Sequence, residues 1–176
     1  MPCGCGKKRV SVTIFDDTAN ASGDPTVWGP ALWAILHILA AHIGHHGMDL
    51  DEARDIQILI SMLPQILPCL ECQAHSRIYL VANPFEPVKN VGTLSVYVRT
   101  WLLTFHNAVR TQNDQSIDIT TLEQLDALYK TDTIQKCQLT IIGANANYGF
   151  RNGIIKIAAW QRWYTLLNRL KVMTMA

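Results

Sequence analysis

The sequence predicts an all-α fold: a four-helix bundle with a short fifth helix and an extra C-terminal helix. Three observations carry that reading. Apolar residues recur at helical spacing, for instance Ile56, Leu59, Ile60 and Leu63. Breakers such as Gly44-His45-His46-Gly47 and Asn83-Pro84 separate the periodic segments. No alternating stretch longer than Val10–Phe15 offers a strand. A chain of 176 residues is most simply one domain with its own core.

Residues 1–24 read as a flexible N-terminal arm, with cysteines, glycines and lysines, the apolar run Val10–Phe15, and then Asp16-Asp17-Thr18-Ala19-Asn20. Asp24-Pro25-Thr26 opens the ordered part. A first helix is expected from Trp28 to His45, with Trp33, His37, Ala40 and Gly44 on one face. Asp49 or Asp51 caps the second, which Pro64 and Pro68 kink or end. The third is expected to begin at Cys69 and reach Val81. Thr93 caps a fourth through about Arg110, on which Tyr97, Trp101 and Phe105 lie four apart.

Thr120-Thr121-Leu122-Glu123 has capping-box spacing for a short fifth helix ending near Lys130. Cys137 to Gly153, with several Asn and Gly residues, reads as irregular. A last helix is expected near 154–171, its stripe Ile155, Ala159, Trp163, Leu166 and Leu170 opposing Gln161, Arg162, Thr165, Asn168 and Arg169. Its basic and aromatic character suits a membrane surface, but packing on its own domain or on a twin subunit is the favoured reading. The chain thus divides into the arm 1–24, a helical domain 25–130 and a C-terminal extension 131–176.

Hydrophobic residues make up 49% of the chain and charged residues 16%, too apolar a balance for a disordered protein. With 15 Lys+Arg against 14 Asp+Glu, the net charge of +1 gives no electrostatic reason to expect nucleic acid as a partner. The N-terminus lacks the apolar core of a secretory signal peptide. No window holds the roughly 18 uninterrupted apolar residues of a membrane span. The expectation is a cytoplasmic chain, where paired cysteines more often bind metal or exchange electrons than act as passive staples.

One such pair lies in Leu67-Pro68-Cys69-Leu70-Glu71-Cys72-Gln73-Ala74-His75. A cysteine in the first turn of a helix feels the positive end of the macrodipole, which favours thiolate over thiol. Cys72, one turn on, is close enough to bridge. A zinc-stabilised helical adaptor would use Cys69, Cys72 and His75, with Cys3, Cys5 or Cys137 as fourth ligand, although the second half-site lacks recognisable spacing. A staple within one helical turn closes almost no loop and adds little stability. Redox exchange is the best use of the pair.

Two further motifs flank it: Trp28-Gly29-Pro30-Ala31-Leu32-Trp33-Ala34-Ile35-Leu36-His37 before, and Trp101-Leu102-Leu103-Thr104-Phe105-His106-Asn107-Ala108-Val109-Arg110 after. Each puts a tryptophan and a histidine on an otherwise apolar helix. Singly, either is ordinary core packing. Together they supply the stacking faces and polar donors that a flat cofactor needs between helices.

WGPxxWxxLH, PCxxC and HNxV, in that order, resemble the Erv1/ALR family of FAD-dependent sulfhydryl oxidases over roughly residues 26–112. LPCxxCxxH is most similar to the versions carried by large cytoplasmic DNA viruses. The resemblance implies a four-helix bundle holding FAD beside the cysteine pair, usually as a homodimer. It implies that a thiol-containing protein, here a viral redox partner, reduces the disulfide, and that electrons pass through FAD to O2 and give H2O2. Position by position, Cys69 would be the exposed interchange cysteine and Cys72 the thiolate against the flavin. Trp28, Gly29, Trp33 and His37, then Trp101, His106, Asn107 and Val109, would meet FAD. Arg110 stands where the family commonly has asparagine, and a guanidinium there suits a phosphate. The lysine-rich stretch that often follows is not visible in Thr111-Gln112-Asn113-Asp114-Gln115.

Cys3-Gly4-Cys5 is a second dithiol, and members of the family often carry such a pair in a tail that ferries electrons to the CxxC. Glycines keep that arm pliable, so Cys3 and Cys5 are the shuttle candidates. Cys137 reads as a buried thiol or as a partner of Cys3, Cys5 or a second subunit. His75 is either a tuner of the thiols or a surface residue.

Overall fold

A computed structural model describes residues 21–175, without the side chain of Met175. Cys3, Cys5 and the Val10–Phe15 run lie outside the described residues. Among the described residues eight α-helices and one 3₁₀ segment follow in order: α1 Pro25–His42, α2 Asp49–Ser61, α3 Leu63–Ile66, α4 Leu70–Ala82, the 3₁₀ segment Pro87–Thr93, α5 Leu94–Gln112, α6 Leu122–Tyr129, α7 Lys136–Arg151 and α8 Ile157–Met175. No strand is found among the described residues. The all-α expectation stands.

The long apolar α1 is the central helix, packed against α5, α6, α7 and α8. Asp24 caps it through a bond from the Thr26 amide, and Pro25 supplies a preset first-turn φ. It stops at His42, before the expected His45, because Gly44 takes a φ of +82° that right-handed helix does not allow. The Gly44 amide instead donates to the fully buried Glu52 carboxylate at 2.6 Å. No side chain caps α2; Asp49 and Asp51 lie in its first turn and favour the helix dipole instead.

Two further boundaries move for local reasons. The capping box of α6 is shifted by one residue, with Thr121 as N-cap and Gln124 at N3. Cys69 is the N-cap of α4 rather than its first helical residue.

The largest correction is the segment from Cys137 to Gly153, read as irregular, which is almost entirely the regular helix α7. Asn145 and Gly149 are buried contact points within it. The Asn145 amide donates to the Ile141 carbonyl, and its oxygen accepts from the Ser22 amide. A Cβ on Gly149 would lie 2.6 Å from Ile155 Cδ1, so only glycine lets the turn to α8 fold back this closely.

On α8 the buried stripe is Trp163, Leu167 and Leu170, all fully inaccessible; Leu167 and not Leu166 is the deep residue. Burying side chains of this size contributes roughly 1.5–3 kcal/mol each. Arg169 reaches Asp55 of α2 at 2.8 Å, where burial pushes the Asp55 carboxyl upward and the guanidinium opposes that shift. The C-terminal helix is part of the core. No helix is long and apolar enough to cross a membrane among the described residues.

Candidate functional site

The site begins at the entrance of α4. Leu67 ends α3 in an extended conformation and Pro68 continues the bend, because a residue before proline is driven out of helical space. Cys69 and Cys72 are joined in a disulfide with their Cα atoms 5.2 Å apart, and the Cys72 amide donates to Cys69 Sγ at 3.1 Å. Both cysteines are partly exposed and pack against the hydrophobic core.

The turn is held by Gln73, whose amide donates to the Leu67 carbonyl at 2.9 Å and the Ile154 carbonyl at 3.1 Å. One side chain thus ties the proline bend to the α7–α8 junction. The incoming chain also meets this corner: a Cβ on Gly23 would lie 3.0 Å from the Pro68 carbonyl oxygen.

Behind α4 runs a continuous aromatic network. Tyr79 of α4 stacks on Phe105 of α5 at 4.4 Å between ring centroids and meets Trp101 edge-on at 5.7 Å. Phe105 meets Trp33 of α1 edge-on at 5.3 Å, and Trp33 lies flat on His106 at 4.2 Å and 6°. His106 Nδ1 and His37 Nε2 are 2.9 Å apart, and Tyr129 of α6 stacks on His37 at 5.2 Å between ring centroids. Leu125, buried on α6, and the Arg99–Asp126 ion pair at 2.6 Å fix α6 against α5 and so present Tyr129.

Burial makes both imidazoles poor bases. Desolvation, then the neighbouring His106, holds His37 down at about 3; desolvation, then Arg110, holds His106 down at about 4. Both rings are therefore neutral at physiological pH, and the proton between them is shared as a neutral hydrogen bond. His37 Nδ1 is buried without a hydrogen-bond partner among the described residues. An orphaned ring nitrogen costs roughly 1–3 kcal/mol, which a ligand group reaching it would recover. A Cβ at Gly29, one turn before Trp33 on the same face, would meet no atom of another element within 4 Å. The wall thus offers flat rings, an unmatched polar atom and room along α1, which suits a flat ligand with polar edges. Such a ligand entering between Trp33 and His106 would replace their stack.

A model describing the Erv1 / Alr family matches residues 30–129, more than half of the chain. The chain belongs to the Erv1/Alr family. Among curated relatives, a protein of Invertebrate iridescent virus 3, provisionally named FAD-linked sulfhydryl oxidase 096R, is 39% identical over 57 residues, 32% of this chain and 38% of the relative. A second, provisionally named FAD-linked sulfhydryl oxidase 347L from Invertebrate iridescent virus 6, is 26% identical over 90 residues, 49% of this chain and 78% of the relative. The FAD-linked sulfhydryl oxidase ERV1 of Oryza sativa subsp. japonica is 31% identical over 81 residues, 46% of this chain and 39% of the relative. The matched part thus spans 38% and 39% of the length of two of these relatives. No solved structure matches the chain.

The Erv1/Alr motif residues do not all gather at one point. Trp33, His37 and His106 are in mutual contact, and Trp101 joins them through Phe105. Trp28 sits elsewhere: it is buried, lines a small cavity together with Leu67, Pro68 and Trp160, and its indole donates to the Gly23 carbonyl at 3.4 Å. Five residues along a helix turn its side chain far from Trp33. Asn107 donates to the Ile119 carbonyl, and Arg110 binds Asp118 and the Ser116 carbonyl, so both hold the loop after α5. Val109 packs against the core.

The zinc reading falls. Cys69 and Cys72 are spent in a disulfide, His75 lies 3.9 Å from Glu71 on its own helix, and no cluster of three metal-ligating residues exists among the described residues. Cys137 is half-buried in the first turn of α7. Sequence reasoning missed Gln73, Tyr79 and Tyr129. For Gln73 the signal was present, a carboxamide one residue past the CxxC. The two tyrosines carried none, since their partners lie on other helices.

Proposed function

We propose that this Erv1/Alr chain is an FAD-linked thiol oxidase that converts dithiols of other proteins to disulfides, with O2 as acceptor and H2O2 as product. The observation that carries this reading is the Cys69–Cys72 disulfide, partly exposed at the entrance of α4, the helix whose Tyr79 joins the aromatic network that holds the neutral histidine pair. Balanced, two substrate thiols and O2 give one substrate disulfide and H2O2. A substrate thiolate attacks Cys69 Sγ, the S–S bond breaks toward Cys72, and a second substrate thiolate releases Cys69. The helix entrance stabilises the sulfur that leaves as thiolate.

FAD, when bound, supplies the two-electron carrier between the Cys69–Cys72 dithiol and O2. Gly29, Trp33, His37, Trp101, His106, Asn107 and Val109 would hold it. Trp33 and His106 offer flat faces, and His37 Nδ1 offers the unmatched polar atom. Arg110 would need to leave Asp118 to meet a phosphate. Trp28, expected from the motif to meet FAD as well, lines a small cavity with Leu67, Pro68 and Trp160.

In the same reading Cys3 and Cys5 are an intermediate carrier: two substrate thiols reduce their disulfide, and the resulting Cys3/Cys5 dithiol takes the place of the substrate thiols in the attack on Cys69. The chain enters the domain at Gly23, beside Pro68, and the 18 residues from Cys5 to Gly23 reach up to roughly 60 Å. A viral partner, in line with the viral source of two relatives, completes the proposal together with a homodimer and a cytoplasmic site, which rest on the motif resemblance alone.

The test is oxygen uptake by purified protein given a dithiol. Cys69→Ser and Cys72→Ser should each abolish turnover while FAD stays bound. Full activity in either variant would remove the pair from the reaction.

A further inference from the structure

Helix α4 turns large apolar side chains outward. Within it the polar Ser76 is buried, while Leu70, Ile78 and Val81 are 66%, 67% and 78% exposed. With the half-buried Ala74 these residues recur at intervals of four, four and three, the spacing of one helix face. A single exposed aliphatic side chain is ordinary, but a row of them in water marks a contact surface. Glu71 and His75 border the row on one side and Arg77 on the other, so the row itself carries no charge.

The row starts at the reactive pair. Leu70 follows Cys69 directly and stands in solvent beside the partly exposed disulfide. Its other end meets a cleft of ≈ 440 Å³, where Val81 joins Pro64, Leu80, Pro84 and Phe85 in the lining. Val81 is 12 residues from Cys69, about 18 Å along a helix axis. An extended chain covers that distance in about five or six residues.

The chemistry at the start of the row decides what covers it. A mixed disulfide with Cys69 holds the partner cysteine with its Cα about 5–6 Å from that of Cys69. The residues flanking that cysteine then lie on the surface that adjoins Cys69, which on α4 is Leu70 and Ala74.

We propose that the outer face of α4 is the docking surface for the thiol-bearing polypeptide, and that it selects cysteines with large apolar side chains within about six residues. The bound segment runs in extended form from Cys69 over Leu70, Ala74 and Ile78, and seats an apolar side chain in the cleft beside Val81. A small thiol, or a cysteine in a polar surface loop, gains none of these contacts. The preferred substrate is therefore a chain not yet folded, whose apolar residues are still in water. The docking belongs to the direct attack of a substrate thiolate on Cys69, and in that respect it rests on the thiol-oxidase reading.

Equilibrium thiol exchange on the full chain reads the docking without flavin, oxygen or turnover. Cys72→Ser leaves Cys69 as a single thiol at the helix entrance. Two peptides, each disulfide-capped with glutathione, compete for it, and capture of either releases glutathione. One peptide carries large apolar residues near its cysteine; the other has serine at those positions. Mass spectrometry of the Cys69 mixed disulfide should show the apolar peptide captured roughly tenfold over the polar one. Ile78→Ser with Val81→Ser, both at exposed positions, should bring that ratio to within about twofold. Equal capture of the two peptides, or a preference that survives both serines, would overturn the proposal. So would a dimer of the free chain that Ile78→Ser dissociates, since a second copy would then occupy the row. Dithiothreitol left unoxidised by the native chain, with the peptide preference intact, would instead count against the thiol-oxidase reading alone.

Discussion

His37 Nε2 and His106 Nδ1 stand 2.9 Å apart between α1 and α5, with Trp33 flat against His106 and Tyr129 against His37. One ring donates and the other accepts, so the accepting ring cannot take a second proton without losing the bond. That relationship joins the two motifs flanking the CxxC.

A pH dependence follows from it. His37 titrates at about 3 and His106 at about 4 in the fold, against 6.5 when unfolded. Between those values the unfolded chain binds more protons, so stability rises with pH. The contribution is fully present above pH ~6.5 and is lost as pH falls toward the folded values, at up to ~1.4 kcal/mol per histidine per pH unit. Urea midpoints at pH 7.5 and 5 should differ in that direction, and His106→Gln should flatten the difference. A midpoint independent of pH would contradict the buried neutral pair.

The Gly149 contact gives a sharper structural test. A methyl group there would overlap Ile155, so Gly149→Ala should destabilise by about 1–3 kcal/mol although alanine is the better helix former. Adding Ile155→Val should recover part of the loss. Thermal melts of the two variants measure it.

Gln73 should matter through the bend it holds. Gln73→Ala leaves the Leu67 and Ile154 carbonyls without this donor, at a cost of roughly 1–3 kcal/mol. Thiol oxidation should slow as Pro68 and Cys69 lose their support, while bound flavin is retained. Denaturant unfolding and a flavin spectrum separate the two effects.

The C-terminal helix should prove indispensable. Trp163 is fully inaccessible in the cluster that includes Leu59, Ile60 and Leu63. Trp163→Ala should cost about 3–5 kcal/mol, and a stop before α8 should leave an unstable chain. A truncated protein as stable as the full one would contradict this packing.

Much of this was legible because it depends on local chemistry. Asp24-Pro25-Thr26 announces a helix start by capping and preset φ alone, and Pro68-Cys69 announces another. Trp33, His37 and His106 could be singled out because polar rings on apolar helices need a reason. The Asn- and Gly-rich α7 was not legible: Asn145 and Gly149 are breakers by propensity, and only contacts to Ser22 and Ile155 make them favourable. Trp28 shares a motif with Trp33, yet helical rotation sends it to the opposite side, where Pro68 waits.

The central claim is that the Cys69–Cys72 pair exchanges electrons with a flavin held by the Trp33–His37–His106 wall. Its most direct test is an anaerobic dithiol titration of the purified protein, followed by visible absorption. The account predicts a yellow protein whose flavin bands bleach on addition of dithiol and return when oxygen is admitted, with Cys72→Ser yellow but unresponsive. A colourless protein, or a flavin that dithiol reduces equally well in Cys72→Ser, would contradict it.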